Sequence, residues 1–191
     1  MKKTISVLIL GFILIAGNMA QAQVNYPYQV GSVTYNMNMM GTDNTMTQYF
    51  TDNGNNMCTE TQMEMFGMKI HNRTIMKGNK SFNLDMTQKT YTETELSPEE
   101  FQKNNFFSSE EALMKEGATK LGEEEILGRM CQKYGLTKEG ADMKLWVWKG
   151  MMLKMETVAQ GMTINMVATA INENTPDASF FEIPSDFTKS N

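Results

Sequence analysis

Alternation of apolar and polar residues constrains the fold of this chain more than any other feature. Within residues 146–166, three apolar side chains at every second position are followed by a turn and then by three more. A period of two places such side chains on one face of a β-strand and the polar ones on the other. The two apolar sets are Met151, Leu153 and Met155, then Met162, Ile164 and Met166, with Lys154, Glu156, Thr163 and Asn165 between them.

The same pattern, interrupted by turn sequences, runs through most of the chain. "TDNGN" at 51–55, Gly67 and "KGNK" at 77–80 are turn signals, because Asn and Gly accept positive φ. Strands are predicted before, between and after these turns up to about residue 96. In the second half the predicted strands are 121–127, 129–138, 142–149, 151–159 and 161–172.

Residues 97–117 differ from the rest and predict two short helices. Ser97, Pro98 and Glu100 form an N-terminal capping pattern. Ser108 and Glu111 repeat it, and Gly117 is a C-terminal stop. "NTPDASFFEIPSDF" at 174–187 predicts a short helical turn or loop with an apolar clasp.

The fold class predicted is α+β: a curved antiparallel β-sheet, an open half-barrel, with short helices covering its concave face. Strands joined by tight turns form an antiparallel meander. A sheet with one apolar face needs a cover, and the helices are its candidates.

The first 22 residues predict a secretory signal peptide. Lys2 and Lys3 precede an apolar run from Ile5 to Ala16, and Ala20-Gln21-Ala22 is a small-x-small cleavage pattern. Asn18 stands where a bacterial lipoprotein would need its cysteine. We therefore expect a single domain over residues 23–191, periplasmic or secreted, with no second apolar run long enough to span a membrane.

Charge restricts the partners. Of 17 lysines and arginines, Lys2 and Lys3 lie in the leader, which leaves 15 against 22 acidic residues, a net charge of about −7. Nucleic-acid binding relies on clustered Lys and Arg, so we expect no nucleic-acid partner.

The sequence predicts no catalysis and no cofactor. The single histidine, His71, lies between Lys69 and Arg73 on a polar face, and no serine lies in a G-x-S-x-G sequence. Cys58 and Cys131 lie outside any C-x-x-C motif, so redox activity is not expected. Because exported proteins can form disulfides, the sequence neither requires nor excludes a bond between Cys58 and Cys131.

The C-terminal third carries motifs that resemble a known family. These are Gly128, Cys131 and Tyr134, then Trp148, Gly150, Leu153 and Lys154, then Phe181, Ile183 and Pro184. The chain resembles an uncharacterised family of exported bacterial proteins known as a domain of unknown function. That family is similar to the periplasmic lipoprotein carriers LolA and LolB. The resemblance implies an open half-barrel with a helical lid and an apolar cavity for acyl chains.

The sequence contains 20 methionines in 191 residues, which raises three interpretations. Methionine is flexible and polarizable and suits surfaces that accept varied shapes. We therefore expect a hydrophobic small molecule, a lipid or a lipidated protein to bind a Met-rich face, while a filled core remains open. The predicted lining is Val33, Tyr35, Met37, Met39, Met63, Met65, Met68, Ile70, Met151, Leu153, Met155, Met162, Ile164 and Met166, with Trp146 and Trp148 as a rim.

The third interpretation is a periplasmic Cu(I)-binding protein, since thioethers are soft ligands. Residues i and i+2 of a strand lie roughly 6.5 Å apart, so neighbouring sulfurs would have to bend together. We predict no metal site as the first choice and keep copper as the alternative. Its candidate clusters are Met37, Met39 and Met40; Met63, Met65 and Met68; and Met151, Met152 and Met155.

Overall fold

The computed structural model describes residues 26–39, 41–65, 67–97 and 110–190, with the side chain of Met65 excepted. The predicted signal peptide and the first predicted helix, apart from Ser97, therefore lie outside the described residues. Twelve strands form one sheet. They are β1 (Gly31–Met39), β2 (Thr42–Thr51), β3 (Asn56–Met65), β4 (Met68–Lys77), β5 (Lys80–Asp85), β6 (Thr90–Glu95), β7 (Thr119–Ile126), β8 (Arg129–Lys138), β9 (Ala141–Trp148), β10 (Met151–Ala159), β11 (Met162–Asn172) and β12 (Thr188–Lys189).

The sheet is curved and unclosed, with spatial order β12-β6-β5-β4-β3-β2-β1-β11-β10-β9-β8-β7. It consists of two antiparallel meanders, β1–β6 and β7–β11, joined by pairing of β1 with β11. Of the described strands, β12 alone runs parallel to its neighbour, over Thr188 and Lys189. The predicted antiparallel sheet is confirmed; its division into two meanders was not anticipated.

Tight turns set the register of the second meander. All four of its hairpins turn on a residue followed by glycine, and both turn residues have positive φ. Positive φ at both positions defines the type I′ turn, whose twist matches that of paired strands. The turns are Leu127–Gly128, Glu139–Gly140, Lys149–Gly150 and Gln160–Gly161.

The described helix is short. Helix α1 spans Glu110–Lys115, and two 3-10 turns span Asp52–Gly54 and Ala178–Phe181. After α1, Gly117 has a φ of +91°, which fits its predicted role as the C-terminal stop. Leu113 of α1 is fully buried in the main core. Six residues are too few to cover a sheet of this size, so helical cover of a face stays a prediction.

Two hydrophobic clusters lie on opposite sides of the sheet. The larger contains Val33, Tyr35, Met37, Leu145 and Met155 among others. The smaller contains Cys58, Ile75 and Leu84, packed against Phe180, Phe181, Ile183 and Phe187 of the C-terminal segment. The predicted apolar clasp at the C-terminus is thus the cover of the smaller cluster.

The apolar side of the sheet changes at β5. Cross-strand pairing joins Phe82 to Ile75 and Ser81 to Met76. Phe82 and Leu84 therefore face the smaller cluster, on the side away from Met76. The cause is the two-residue turn at Gly78–Asn79, which fixes Lys77 opposite Lys80.

Candidate functional site

One row of side chains crosses five strands of the larger cluster. Met37 pairs with Met166, Met166 with Met155, Met155 with Leu145, and Leu145 with Tyr134. Directly opposite residues have Cβ atoms about 4.5–5.5 Å apart, so each side chain contacts the next one along the row. We call the face that bears this row the methionine face.

A second row runs parallel to the first, displaced by two residues along β1 toward the β1–β2 turn. Met39 pairs with Ile164, Ile164 with Thr157, Thr157 with Met143, and Met143 with Leu136. Ile164, Thr157 and Met143 are buried, and Met39 packs against the same cluster. Over β1 and β8–β11 the methionine face is therefore mainly apolar, and it carries the hydroxyls of Tyr35, Tyr134 and Thr157.

The structure brings most of the predicted lining together. Tyr35 lies on the methionine face, and its hydroxyl donates to the Met152 carbonyl at 2.9 Å. A register shift between Met152 and Lys154 leaves three consecutive residues of β10 buried, which simple alternation does not predict. The predicted lining residues that are buried in the larger cluster are Val33, Tyr35, Met37, Met63, Met151, Leu153, Met155, Ile164 and Met166, with Met39 and Ile70 packed against them.

Three predicted methionines lie near turns at one end of the sheet. Met65 pairs with Met68 at the β3–β4 hairpin, and Met68 is 53 % exposed. Met162 begins β11 and is partly exposed. Met68 and Met162 lie at the margin of the methionine face.

The two tryptophans lie on the face opposite the methionine row, although Trp148 pairs directly with Met151 and both rings join the larger cluster. Trp146 pairs with Lys154 and Lys133, whereas its neighbour Leu145 pairs with Met155, so the Trp146 ring lies on the opposite face. It is nevertheless only 1 % exposed. The Lys154 and Lys133 ammonium nitrogens lie 4.1 and 4.5 Å from its ring centroid, and its indole N–H donates to Glu124 at 2.6 Å.

Trp148 has a similar environment. Arg129 lies 5.1 Å from its ring centroid, and Tyr28 packs against it with ring centroids 5.9 Å apart. Both tryptophans thus make cation–π contacts with basic residues. Because Trp146 and Trp148 are two residues apart on one strand, alternation predicted that they share a face, but it could not predict which face.

On β2–β5 the methionine face carries a row of polar side chains beside the buried Phe50, Met57 and Met76, and sequence analysis missed this row. Gln48 pairs with Thr59, Thr59 with Thr74, and Thr74 with Asn83. Gln48, Thr59, Thr74 and the neighbouring Ser81 are buried. The missed signal was the turn at 78–79, whose register places Ser81 and Asn83 on the side of Met76 and Thr74.

Two buried polar groups carry atoms with no partner among the described residues. They are the Thr157 hydroxyl on the methionine face and Nε of Arg73 on the opposite face. Most buried polar atoms in proteins are hydrogen-bonded, so each needs an explanation. Arg73 is partly engaged, since its guanidinium contacts Glu60 at 3.6 Å and lies 5.2 Å from the Phe180 ring centroid.

The disulfide left open by the sequence is not formed, and both thiols are free. Cys58 lies in β3 and Cys131 in β8, six strands apart along the sheet, and they belong to different clusters. Six strand spacings correspond to roughly 29 Å along the sheet, whereas a disulfide needs Cα atoms within about 7 Å. Burial raises the pKa of the Cys58 thiol to about 12 and that of Cys131 to about 11.

The chemistry of the opposite face is that of an ion-pair cluster. Nε2 of His71 lies 2.6 Å from Oε1 of Glu60, and Arg73 flanks the same carboxylate. Within the described ranges no group of three His, Cys, Asp or Glu side chains could hold a metal ion.

No helix in the part of the chain that the structure describes is long and apolar enough to cross a membrane.

Fold and site together define a class: a curved, open antiparallel sheet with a broad apolar face. The sequence profile of DUF4412, a domain of unknown function, matches residues 30–160, so the chain belongs to that family. This confirms the resemblance seen in the C-terminal motifs, and the open curved sheet fits the carrier fold it implied. No curated protein sequence matches this chain.

Among the solved structures that share the fold, three illustrate the likeness. An uncharacterised conserved protein from Thermus thermophilus superposes with a TM-score of 0.61 at 10 % identity, covering 94 % of this chain and 98 % of the other. PNGF-II gives 0.53 at 14 % identity, covering 85 % of this chain and 32 % of the other. The MucA/MucB complex of Pseudomonas aeruginosa gives 0.51 at 11 % identity, covering 82 % and 56 %. The chain thus spans about a third of PNGF-II and about half of the MucA/MucB match, and the likeness concerns the fold alone.

Proposed function

We propose that this protein is exported and binds a hydrophobic molecule, a lipid or the acyl chains of a lipoprotein, on the methionine face without catalysis. One observation carries the proposal. The register aligns Met37, Met166 and Met155 across three adjacent strands and continues the row into Leu145. Unbranched thioether side chains adapt their rotamers to chains of different shape, which a Val or Ile lining would do less well.

The face is buried in the ligand-free chain, so a ligand would have to displace part of its cover. We propose that the connection between β6 and β7 forms this cover, and that the methionine face is the concave one. Helix α1 supplies supporting contacts: the Tyr134 hydroxyl donates to Glu110 at 3.4 Å, and Lys138 donates to Glu116 at 2.7 Å. Both contacts join α1 to β8 at one side of the methionine face.

A lipidated protein is the macromolecular partner that this proposal includes. MucB shares the fold and is seen in complex with MucA, which supports a protein partner for a sheet of this kind. Acyl chains attached to such a partner would occupy the same methionine row as a free lipid.

The methionines themselves allow a direct test by NMR with methyl-¹³C methionine. Adding oleate or monooleoylglycerol should shift the methyl resonances of Met37, Met155 and Met166. Met86, which packs against the smaller cluster on the opposite face, and Met130, which is 56 % exposed, should stay unchanged. Single Met→Leu variants, which roughly conserve volume, assign the signals.

Shifts confined to Met86 or Met130, or no shifts at saturating lipid, would contradict the proposal.

Copper binding remains the second candidate because of the same row. The predicted copper clusters each lay within one stretch of sequence, whereas the register joins Met37, Met166 and Met155 from three strands. Directly opposite side chains converge more readily than residues i and i+2 of one strand. Titration of the labelled protein with Cu(I) should broaden or shift these three methyls together if copper is the ligand.

A further inference from the structure

The methionine face has two chemically different halves. Over β1 and β8–β11 apolar side chains predominate, whereas β2–β5 add a row of amides and hydroxyls in register, flanked on one side by the buried side chains of Phe50, Met57 and Met76. We call Gln48, Thr59, Thr74, Ser81 and Asn83 the hydroxyl–amide patch. Val33 pairs with Gln48, so the two halves meet at the β1–β2 boundary.

The patch is uncharged. On this face of β2–β6 the described residues include one charged side chain, Asp85, and its carboxylate accepts from the Thr87 and Gln88 backbone N–H groups. The neighbouring positions on β6 are Thr90, Thr92 and Thr94. A phosphate or carboxylate placed here would lose its hydration without gaining a cation, which is costly.

The patch keeps hydrogen-bonding capacity. Thr74 Oγ1 donates to the Asn83 amide oxygen at 3.0 Å, and the Tyr26 hydroxyl donates to the Gln48 amide oxygen at 3.2 Å. Both bonds occupy amide oxygens. Each amide also carries two N–H donors, which suit a carbonyl or hydroxyl oxygen of a neutral group.

Thr157 gives an independent indication from the apolar half. Its side chain is 3 % exposed, lies between Ile164 and Met143, and its hydroxyl has no partner among the described residues. A neutral oxygen within the body of a ligand would satisfy it, and an aliphatic chain alone would not.

We propose that the ligand is an amphiphile with an uncharged, oxygen-bearing head, such as a glycerol ester, whose chain lies on the methionine row and whose head lies on the hydroxyl–amide patch. This inference rests on the proposed lipid-binding function and names the class of lipid. It excludes fatty-acid anions and phospholipids as the preferred ligands.

The test compares three ligands with one acyl chain: monooleoylglycerol, oleate and oleoyl-lysophosphatidylglycerol, each competing with a fluorescent acyl probe at pH 8. We expect monooleoylglycerol to bind at least about tenfold more tightly than either anion. This is the effect of roughly one hydrogen bond gained by the neutral head, or of one charge left unpaired in the complex with an anion.

A double variant, Thr59→Val with Thr74→Val, should reduce this preference to about threefold or less. The matched control is Thr47→Val on the opposite face, where Thr47 pairs with Thr34. It makes the same chemical change and should leave the preference intact. Thermal melts followed by circular dichroism establish that each variant is folded.

Equal or tighter binding of the anions, or an unchanged preference in the folded double variant, would overturn the neutral-head proposal while leaving lipid binding in place. Failure of all three ligands to displace the probe, or of the probe to bind, would overturn the proposed function as well.

Discussion

At the residue scale, Thr157 is the side chain whose environment least suits it. A hydroxyl buried without a partner destabilises the fold by its lost hydration. Replacement by valine, which has nearly the same shape, should therefore raise the free energy of unfolding of the ligand-free protein by about 1 kcal/mol. Urea unfolding measures this directly.

Thr74→Val is the matched comparison, because the Thr74 hydroxyl donates to Asn83. This substitution should lower the free energy of unfolding by about 0.5–1.5 kcal/mol. A loss of stability in Thr157→Val as large as that in Thr74→Val would show that the Thr157 hydroxyl has a partner after all.

The two thiols make a second prediction at this scale. Both are buried, and burial raises their pKa values, to about 12 for Cys58 and about 11 for Cys131, so little thiolate exists at neutral pH. The folded protein should react slowly with Ellman's reagent, and the unfolded protein should release two equivalents without prior reduction. Zero equivalents after unfolding would mean that the disulfide forms.

Sequence reasoning succeeded best for single faces of single strands. Alternation identified the apolar set of Met155 and the polar set of Lys154, because the side-chain period of a strand is fixed. It could not decide which face of β9 Trp146 occupies, since a tryptophan covered by two lysines and a glutamate satisfies the same pattern as one in a core.

At the element scale, the turns made the strands predictable. The bounds of β8 and β10 coincide with the predicted 129–138 and 151–159. The change of apolar side at β5 was implicit in the two-residue turn at 78–79, and counting outward from that turn gives the observed register. The short strand β12 was not predicted, because two exposed residues carry no periodic signal.

Glu93 adds a side-chain contact to the backbone pairing that holds β12 on β6. This carboxylate accepts from Lys189 at 2.8 Å and from Lys80 at 2.7 Å, and these bonds lower the pKa of Glu93 to about 2. A carboxyl whose pKa is lower in the folded state stabilises it above the unfolded pKa of about 4.5 and loses this effect as pH falls toward 2.

We therefore expect Glu93→Gln to lower the melting temperature at pH 7 and the difference from wild type to shrink progressively between about pH 4.5 and 2. Glu95→Gln on the same strand is a suitable control, since Glu95 bonds to Asn79 but lies outside this pair of lysine contacts. A difference that is constant over this pH range would exclude the charge interaction as its cause.

At the scale of the whole molecule, the decisive contact is the pairing of β1 with β11. It joins two meanders that local turns specify independently, and it aligns Met37 with Met166. These residues are distant in the sequence, so no periodicity predicts their contact. The resemblance to an open half-barrel supplied the architecture that local patterns lacked, whereas the polar half of the methionine face required the register.

The central claim is that a hydrophobic molecule occupies the methionine face. It is tested most directly by native mass spectrometry of the protein expressed with its predicted signal peptide and purified from the cell envelope or medium without detergent. We predict a protein mass increased by several hundred daltons, the usual range for a lipid, with the added mass lost on organic extraction. A bare protein mass that stays unchanged after addition of monooleoylglycerol would contradict the claim and identify the methionines as core residues. An added mass of one copper ion would indicate that the methionine face binds copper instead of a lipid.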